Sequence, residues 1–282
     1  MLVMVTINEL FLGFEHYLAH MISLSLRPWE MVPVIFGFSA GIILIIAGAI
    51  SLFWSRRIAA WIAGAVLLLT MLLGLWGFVL HVLRATTLEA GPGHMISLNG
   101  VIWSPPILGP LTSAMIGFIG IYSAWREVPA DSGRIHLGGF FKFRLPFSKS
   151  RTWFILVGLA ILATTVSSVL DHARTGFENP YLWIPVVVAC FAVTVSIMLG
   201  MIETPSRGDL IIYVVAMVLL IMVGMLGAWL HYLQDINRHA EIVTERLFRH
   251  APVLAPLLFA DMGGFGLIVL LNPAAKLARK KK

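Results

Sequence analysis

Histidine is the residue type in this sequence whose number and placement point most directly to chemistry. Imidazole titrates near neutral pH and can bind a metal ion, transfer a proton or hydrogen-bond a polar ligand. All of the nine histidines except His136 flank apolar segments on one side of the predicted membrane topology: His16, His20, His81, His94, His172, His231, His239 and His250. Carboxylates accompany them. A site that combines imidazole and carboxylate groups is therefore expected on that side.

Three apolar segments end in the same way. The strings GFVLH, SSVLDH and GAWLH close on His81, His172 and His231. The segments that follow the predicted outer connections open with proline, as in RPWEMVPVIF and PYLWIPVVVA. Proline is common in the first turn of a helix, and tryptophan is common at the membrane interface. Neither rule explains the recurring histidine. The pattern predicts internal helix-pair repeats, which in membrane proteins tend to hold the ligand site between them.

The composition predicts that these segments are membrane helices. The chain has 282 residues, of which 59% are hydrophobic and 12% are charged, whereas a soluble domain has about 25% charged residues. A helix needs about 20 apolar residues to cross a bilayer. Seven segments qualify: 31–54, 58–83, 105–125, 152–170, 181–202, 210–233 and 252–272. We expect an all-α, polytopic membrane bundle of seven transmembrane helices, or eight if the N-terminal segment also spans.

The distribution of cations predicts the orientation of the bundle. Most of the 20 Lys and Arg residues lie at Arg56 and Arg57, within 126–151, at Arg207 and in the C-terminal tail. By the positive-inside rule these connections are cytoplasmic. The expected location is the inner membrane of a prokaryote, with a cytoplasmic C-terminus and the histidines outside.

Three regions are expected along the chain. Residues 1–30 form an N-terminal amphipathic segment that lies at the interface, although a further span with Glu15 and His16 buried is the alternative. Residues 31–273 form the transmembrane bundle, and residues 274–282 form a basic cytoplasmic tail.

The composition also excludes several functions. The only cysteine, Cys190, cannot hold an iron–sulfur cluster or close an internal disulfide. The cations are few and separated by apolar runs, so the basic charge is not a nucleic-acid signal; the expected non-protein contacts are membrane lipids. Haem is not expected, because a haem between two histidines needs them deeper than helix ends.

Several short motifs resemble one membrane family. Leu80-His81-Val82-Leu83-Arg84 is similar to the motif after the second span of NrfD/PsrC-type subunits, and Ser104-Pro105-Pro106-Ile107-Leu108-Gly109 is similar to the motif that opens their third. The segments at 29–41, 179–185 and 256–259 resemble the family's first, fifth and seventh spans. These subunits are the quinone-reactive anchors of polysulfide-reductase-like and dimethyl-sulfoxide-reductase-like complexes.

The resemblance implies a respiratory-type role. Such a subunit has no catalytic residues that act alone. It binds menaquinone or ubiquinone near the outer face and exchanges electrons with iron–sulfur and catalytic partner subunits. The positions expected to bind the quinone are His81, Arg84, Glu89, His94, Asp171, His172, His231 and Asp235. Among them, His81 is predicted to hydrogen-bond a quinone oxygen.

Two other functions stay open. The first is a metalloprotein that binds copper, iron or zinc, either for metal handling or as an oxygenase. Its ligands would be Glu15, His16 and His20, or else His231, Asp235 and His239, because the histidines and Asp235 recur every four residues along a helix. A transporter would use Asp261, the only carboxylate well inside a predicted span, since such a residue is a functional candidate.

Overall fold

The computed structural model describes residues 2–22, 27–87, 107–137, 141–236 and 253–271. Within those residues there are eight α-helices. They are α1 (Leu2–Ile22), α2 (Met31–Phe53), α3 (Arg56–Thr87), α4 (Leu108–Ala124), α5 (Lys149–Ala173), α6 (Trp183–Met201), α7 (Arg207–Ile236) and α8 (Leu254–Val269). Short 3-10 turns precede α2 and α6 at Pro28–Glu30 and Pro180–Leu182.

Five of the helical segments are long and apolar enough to cross a membrane. They are Pro28–Phe53, Arg56–Thr86, Lys149–Ala173, Pro180–Met201 and Arg207–Gln234. The predicted spans at 105–125 and 252–272 contain shorter apolar helices, Leu108–Ala124 and Leu254–Val269. Five of the seven predicted spans are thus present as helices of full crossing length.

The side chains of α2 have the distribution of a lipid-exposed helix. Small residues such as Gly37, Ala40 and Ala47 are buried, whereas Ile42 and Ile45 are exposed. In water large apolar residues would pack inside, but lipid solvates them as well as another helix does. Small residues then occupy the helix interface because they allow close approach of the backbones.

The chain divides into two compact units. Unit 1 comprises Met1–Pro129 and Gly133–Pro146, and it contains α1–α4. Unit 2 comprises Ala130–Ser132 and the chain from Phe147, and it contains α5–α8. Each unit is a four-helix arrangement of its own.

In unit 1 the helices form a closed ring. Helix α1 packs against α2 and α4, and α3 packs against the same two helices. Helices α1 and α3 therefore stand on a diagonal of the bundle. Successive helices alternate in direction, so the two diagonal helices run parallel.

Unit 2 has the same internal arrangement. Helix α5 packs against α6 and α8, and α7 also packs against α6 and α8. The diagonal pair here is α5 and α7.

Close contacts between the last two helices of each unit depend on glycine. A Cβ atom on Gly74 of α3 would lie 2.7 Å from the Pro110 carbonyl oxygen of α4, and one on Gly224 of α7 would lie 2.8 Å from that of Pro256 in α8. Any larger residue would push these helices apart. Gly74 and His81 are separated by the same number of residues as Gly224 and His231.

The polar connection after α4 contains a small antiparallel sheet. Its strands are β1 (Arg126–Glu127), β2 (Arg134–Leu137) and β3 (Phe141–Arg144), with β2 in the centre. Ile135 is buried beneath the sheet. Because the ring of Phe143 lies 5.1 Å from that of Trp125, the sheet is anchored to the end of α4.

Candidate functional site

In unit 1, two histidines from diagonal helices meet near the end of the bundle. His20 lies in the last turn of α1, and His81 lies more than one turn before the end of α3. Their ring centroids are 6.5 Å apart, and the ring planes are perpendicular, at 90°. Both side chains are half-buried. We call this the unit 1 pair.

Charged groups surround the unit 1 pair. Glu30, just before α2, and Arg84, one turn beyond His81, both lie within electrostatic range of the His20 imidazole. The Arg84 side chain is exposed. The end of unit 1 therefore combines two imidazoles with one carboxylate and one guanidinium group.

A third imidazole in unit 1 has both nitrogens engaged. His16 Nδ1 contacts the Leu12 carbonyl oxygen, and His16 Nε2 lies 3.3 Å from the Ser113 hydroxyl oxygen. With Nδ1 donating to the carbonyl, Nε2 accepts from the hydroxyl. His16 thereby fastens α1 to α4.

Unit 2 contains an equivalent pair. His172 in the last turn of α5 faces His231 of α7, with ring centroids 6.3 Å apart and ring planes at 89°. Asp171 lies within electrostatic range of His231, and its carboxylate oxygen is 3.9 Å from an Arg174 nitrogen. We call His172 and His231 the unit 2 pair.

Deeper in each bundle than the histidine pair, the buried side chains of the two units differ in polarity. In unit 1 the Glu9 carboxyl of α1 hydrogen-bonds the Thr70 hydroxyl of α3, and both side chains are buried. Glu9 and His20 are separated by the same number of residues as Thr70 and His81, as expected for parallel diagonal helices. The corresponding layer of unit 2 holds buried Ile161 and Leu220.

The structure places most of the predicted quinone-binding residues near the ends of three helices. His81 and Arg84 lie on α3, Asp171 and His172 on α5, and His231 and Asp235 on α7. Glu89 and His94 lie outside the described residues, as does the tail from residue 274. The sequence indicated His81, His172 and His231 as quinone-binding positions and His20 as a possible metal ligand, but not that His81 faces His20 or that His231 faces His172.

The metal sites considered from the sequence are not assembled in the described part of the chain. No group of three or more His, Cys, Asp or Glu side chains is placed to hold a metal ion among the residues that the structure describes. His16, expected beside Glu15 and His20 as a ligand, is engaged by Leu12 and Ser113. His239, the outermost member of the second set, is outside the described residues.

Glu9 is a buried polar residue that was not among the candidate site residues predicted from the sequence. Its side chain is 1% exposed, and one of its carboxyl oxygens has no hydrogen-bond partner among the described residues. The available signal was a carboxylate inside an otherwise apolar segment, which is expensive in a membrane and therefore a functional candidate.

Each unit therefore presents imidazoles next to charged side chains at the end of an apolar bundle. Such an arrangement can hydrogen-bond the oxygens of a polar head group, exchange protons with it, or ligate a metal centre. No protein-family model, curated protein or solved structure matches the chain.

Proposed function

We propose that this chain is an integral membrane subunit of a respiratory-type oxidoreductase that exchanges electrons with quinone near the outer face of the membrane. In this proposal all eight helices span, including α1, so that the N- and C-termini are both cytoplasmic. The two units are tandem repeats of one four-helix element, and the histidine pairs lie at their outer ends.

The observation that carries the proposal is the recurrence of the pair in both units. An isolated histidine near a helix end is common, because its ring tolerates the interface. Here imidazoles from diagonal helices converge in each unit, and charged groups accompany each pair. Polar groups concentrated at the end of an apolar bundle suit a ligand with a polar head and an apolar tail, which is what a quinone is.

Unit 1 is the better candidate for the quinone head. The Arg84 guanidinium is exposed one turn beyond His81, whereas Arg174 of unit 2 lies beside the Asp171 carboxylate. We propose that Arg84 donates a hydrogen bond to a quinone oxygen and that Glu30 exchanges the protons released when a quinol is oxidised. An iron–sulfur partner subunit docks at the same face and exchanges electrons with the site.

Quinone binding to the full chain tests this function directly. The detergent-purified chain is titrated with menadione and with decylubiquinone while tryptophan fluorescence is recorded. The matched control is 2-methylnaphthalene, which has the ring skeleton of menadione without its oxygens. Because the oxygens of menadione pair with the site, we expect saturable binding that is about tenfold or more tighter than that of the control.

Equal affinity for menadione and 2-methylnaphthalene would show that only apolar partitioning occurs. That result, or a linear signal for both quinones, would contradict the proposed function.

A further inference from the structure

The distance between the rings of each histidine pair matches two ligands of one metal ion. Two imidazoles on opposite sides of an ion, with metal–nitrogen bonds of about 2.0–2.1 Å and the nitrogen roughly 1.2 Å from the centroid, have centroids about 6.4 Å apart. The observed separations are 6.5 Å for His20 and His81 and 6.3 Å for His172 and His231. Two sites in different units thus have nearly the same geometry.

Direct ring packing accounts less well for the pairs. Aromatic rings in edge contact also lie about 4.5–7 Å apart, so the distance alone does not decide. The positions of the histidines favour a shared metal ion over direct ring packing. Each pair joins helices that stand on a diagonal of the bundle and do not pack side by side. A diagonal contact forms across the bundle axis, where a ligand held between the helices would lie.

The number of protein ligands at each pair limits which metal centre can bind there. Zinc and copper sites usually take three or four protein ligands, and the described residues offer no such group at either pair. Haem iron takes four nitrogens from its own macrocycle and needs only two axial ligands from the protein. A pair of imidazoles facing each other is what a haem requires.

The depth of the histidines is also suitable. From the sequence they were expected at helix ends, too shallow for haem. His20 and His172 do lie in the last turns of α1 and α5, but His81 and His231 lie more than a turn before the ends of α3 and α7, which are 32 and 30 residues long. Because α3 and α7 continue beyond the pairs, both pairs lie before the end of their bundles. The exposed surfaces of both helices are rich in apolar side chains, as a lipid-embedded bundle requires.

We propose that the unit 1 pair and the unit 2 pair are each the axial ligands of a haem, so that the chain binds two haems. This inference rests on the proposed function for its electron donor and replaces the expectation that the chain carries no haem. It also assigns His81, His172 and His231 to iron in place of the quinone. Each iron takes up one electron in going from ferric to ferrous. Oxidation of one quinol to quinone releases two electrons and two protons, so two haems accept the electrons of one quinol.

Titration with hemin tests the proposal on the full chain. The detergent-purified protein is titrated with hemin while the Soret band is recorded, and bound haem is then measured as the pyridine haemochrome. We expect saturation at about two haems per chain, with the low-spin ferric EPR signal of two imidazole ligands. His81→Ala and His231→Ala should each halve the bound haem, and the double variant should bind none.

His136→Ala, on strand β2, is the matched control and should bind as much haem as the unaltered chain. Size-exclusion profile and helical circular dichroism show which variants fold. For a variant that does not fold, His81→Met keeps an iron ligand in place: it should retain haem and raise the potential of that haem, since methionine ligation raises it.

Three results would overturn the haem proposal. They are a folded chain without saturable hemin binding, haem content unchanged by His81→Ala and His231→Ala, and copper or zinc bound in place of haem and lost in those variants. A chain that binds no hemin but binds menadione would leave the proposed quinone function standing. A chain with two haems and no quinone binding would contradict that function alone.

Discussion

The residues that carry the chemistry are few, and each depends on a neighbour from another helix. His81 of α3 and His231 of α7 were identifiable from sequence, because each closes an apolar segment with a similar string. The pairing of His81 with His20 and of His231 with His172 was not, since it follows only from the order of helices around each bundle. The sequence of each helix taken alone does not specify which helices stand on a diagonal of the bundle.

Arg84 is the residue for which the quinone proposal makes the sharpest prediction. If its guanidinium donates to a quinone oxygen, Arg84→Gln removes a hydrogen bond from a charged donor, which contributes about 1.5–3 kcal/mol. Menadione affinity should therefore fall by about 10- to 150-fold, measured by the same fluorescence titration.

Arg57→Gln is the control for Arg84→Gln, because Arg57 lies at the opposite end of the same helix. It should leave menadione affinity unchanged. Equal loss in both variants, or none in Arg84→Gln, would contradict the assignment of Arg84 to the quinone.

At the scale of elements, glycine sets how closely the last two helices of each unit approach. The long apolar segments made helices α2, α3, α5, α6 and α7 predictable from sequence, since a membrane leaves the backbone no other way to satisfy its hydrogen bonds. It was not predictable that α4 and α8 are shorter than the apolar segments that contain them. Glycine was visible in these segments, but its contact partners Pro110 and Pro256 follow only from the packing.

Gly74→Ala should destabilise unit 1. Its Cβ atom would lie 2.7 Å from the Pro110 carbonyl oxygen and 2.9 Å from the Ala114 Cα, and backbone atoms cannot move aside without shifting α4. Overpacking of this kind costs typically about 1–3 kcal/mol. The thermal unfolding midpoint in detergent should fall, together with hemin binding at the unit 1 pair.

Gly64→Ala is the matched control on the same helix, since a Cβ atom there has nothing within 4 Å. Alanine favours helix over glycine by up to about 1 kcal/mol, so the midpoint should stay the same or rise. A comparable loss in both glycine variants would show that contact with α4 is not the cause.

For the molecule as a whole, the number of spans decides on which side of the membrane the N-terminus lies. Hydropathy and cation placement predicted a polytopic helical protein and the side of each connection. They did not decide the role of α1, because Asn8, Glu9 and His16 interrupt its apolar pattern. In the structure Asn8 donates to the Met4 carbonyl oxygen, Glu9 pairs with Thr70 of α3 and His16 with Ser113 of α4, so these polar residues have partners inside unit 1.

Reporter fusions at both termini distinguish eight spans from seven. With eight spans, reporters before Met1 and after Lys282 should both be active in the cytoplasm. A third reporter, inserted within 238–250, should report the outer compartment. An N-terminal reporter in the outer compartment would contradict a spanning α1.

Reduction of the hemin-loaded protein by quinol tests electron transfer from quinol to the two histidine pairs directly. The hemin-loaded chain is kept anaerobic, menadiol or decylubiquinol is added, and the visible spectrum is recorded, with dithionite giving the fully reduced reference. We expect quinol to convert the ferric spectrum to the ferrous one, and we expect the combined His81→Ala and His231→Ala variant to show no such change. A chain that acquires no haem spectrum, or one reduced by dithionite but by neither quinol, would contradict this expectation.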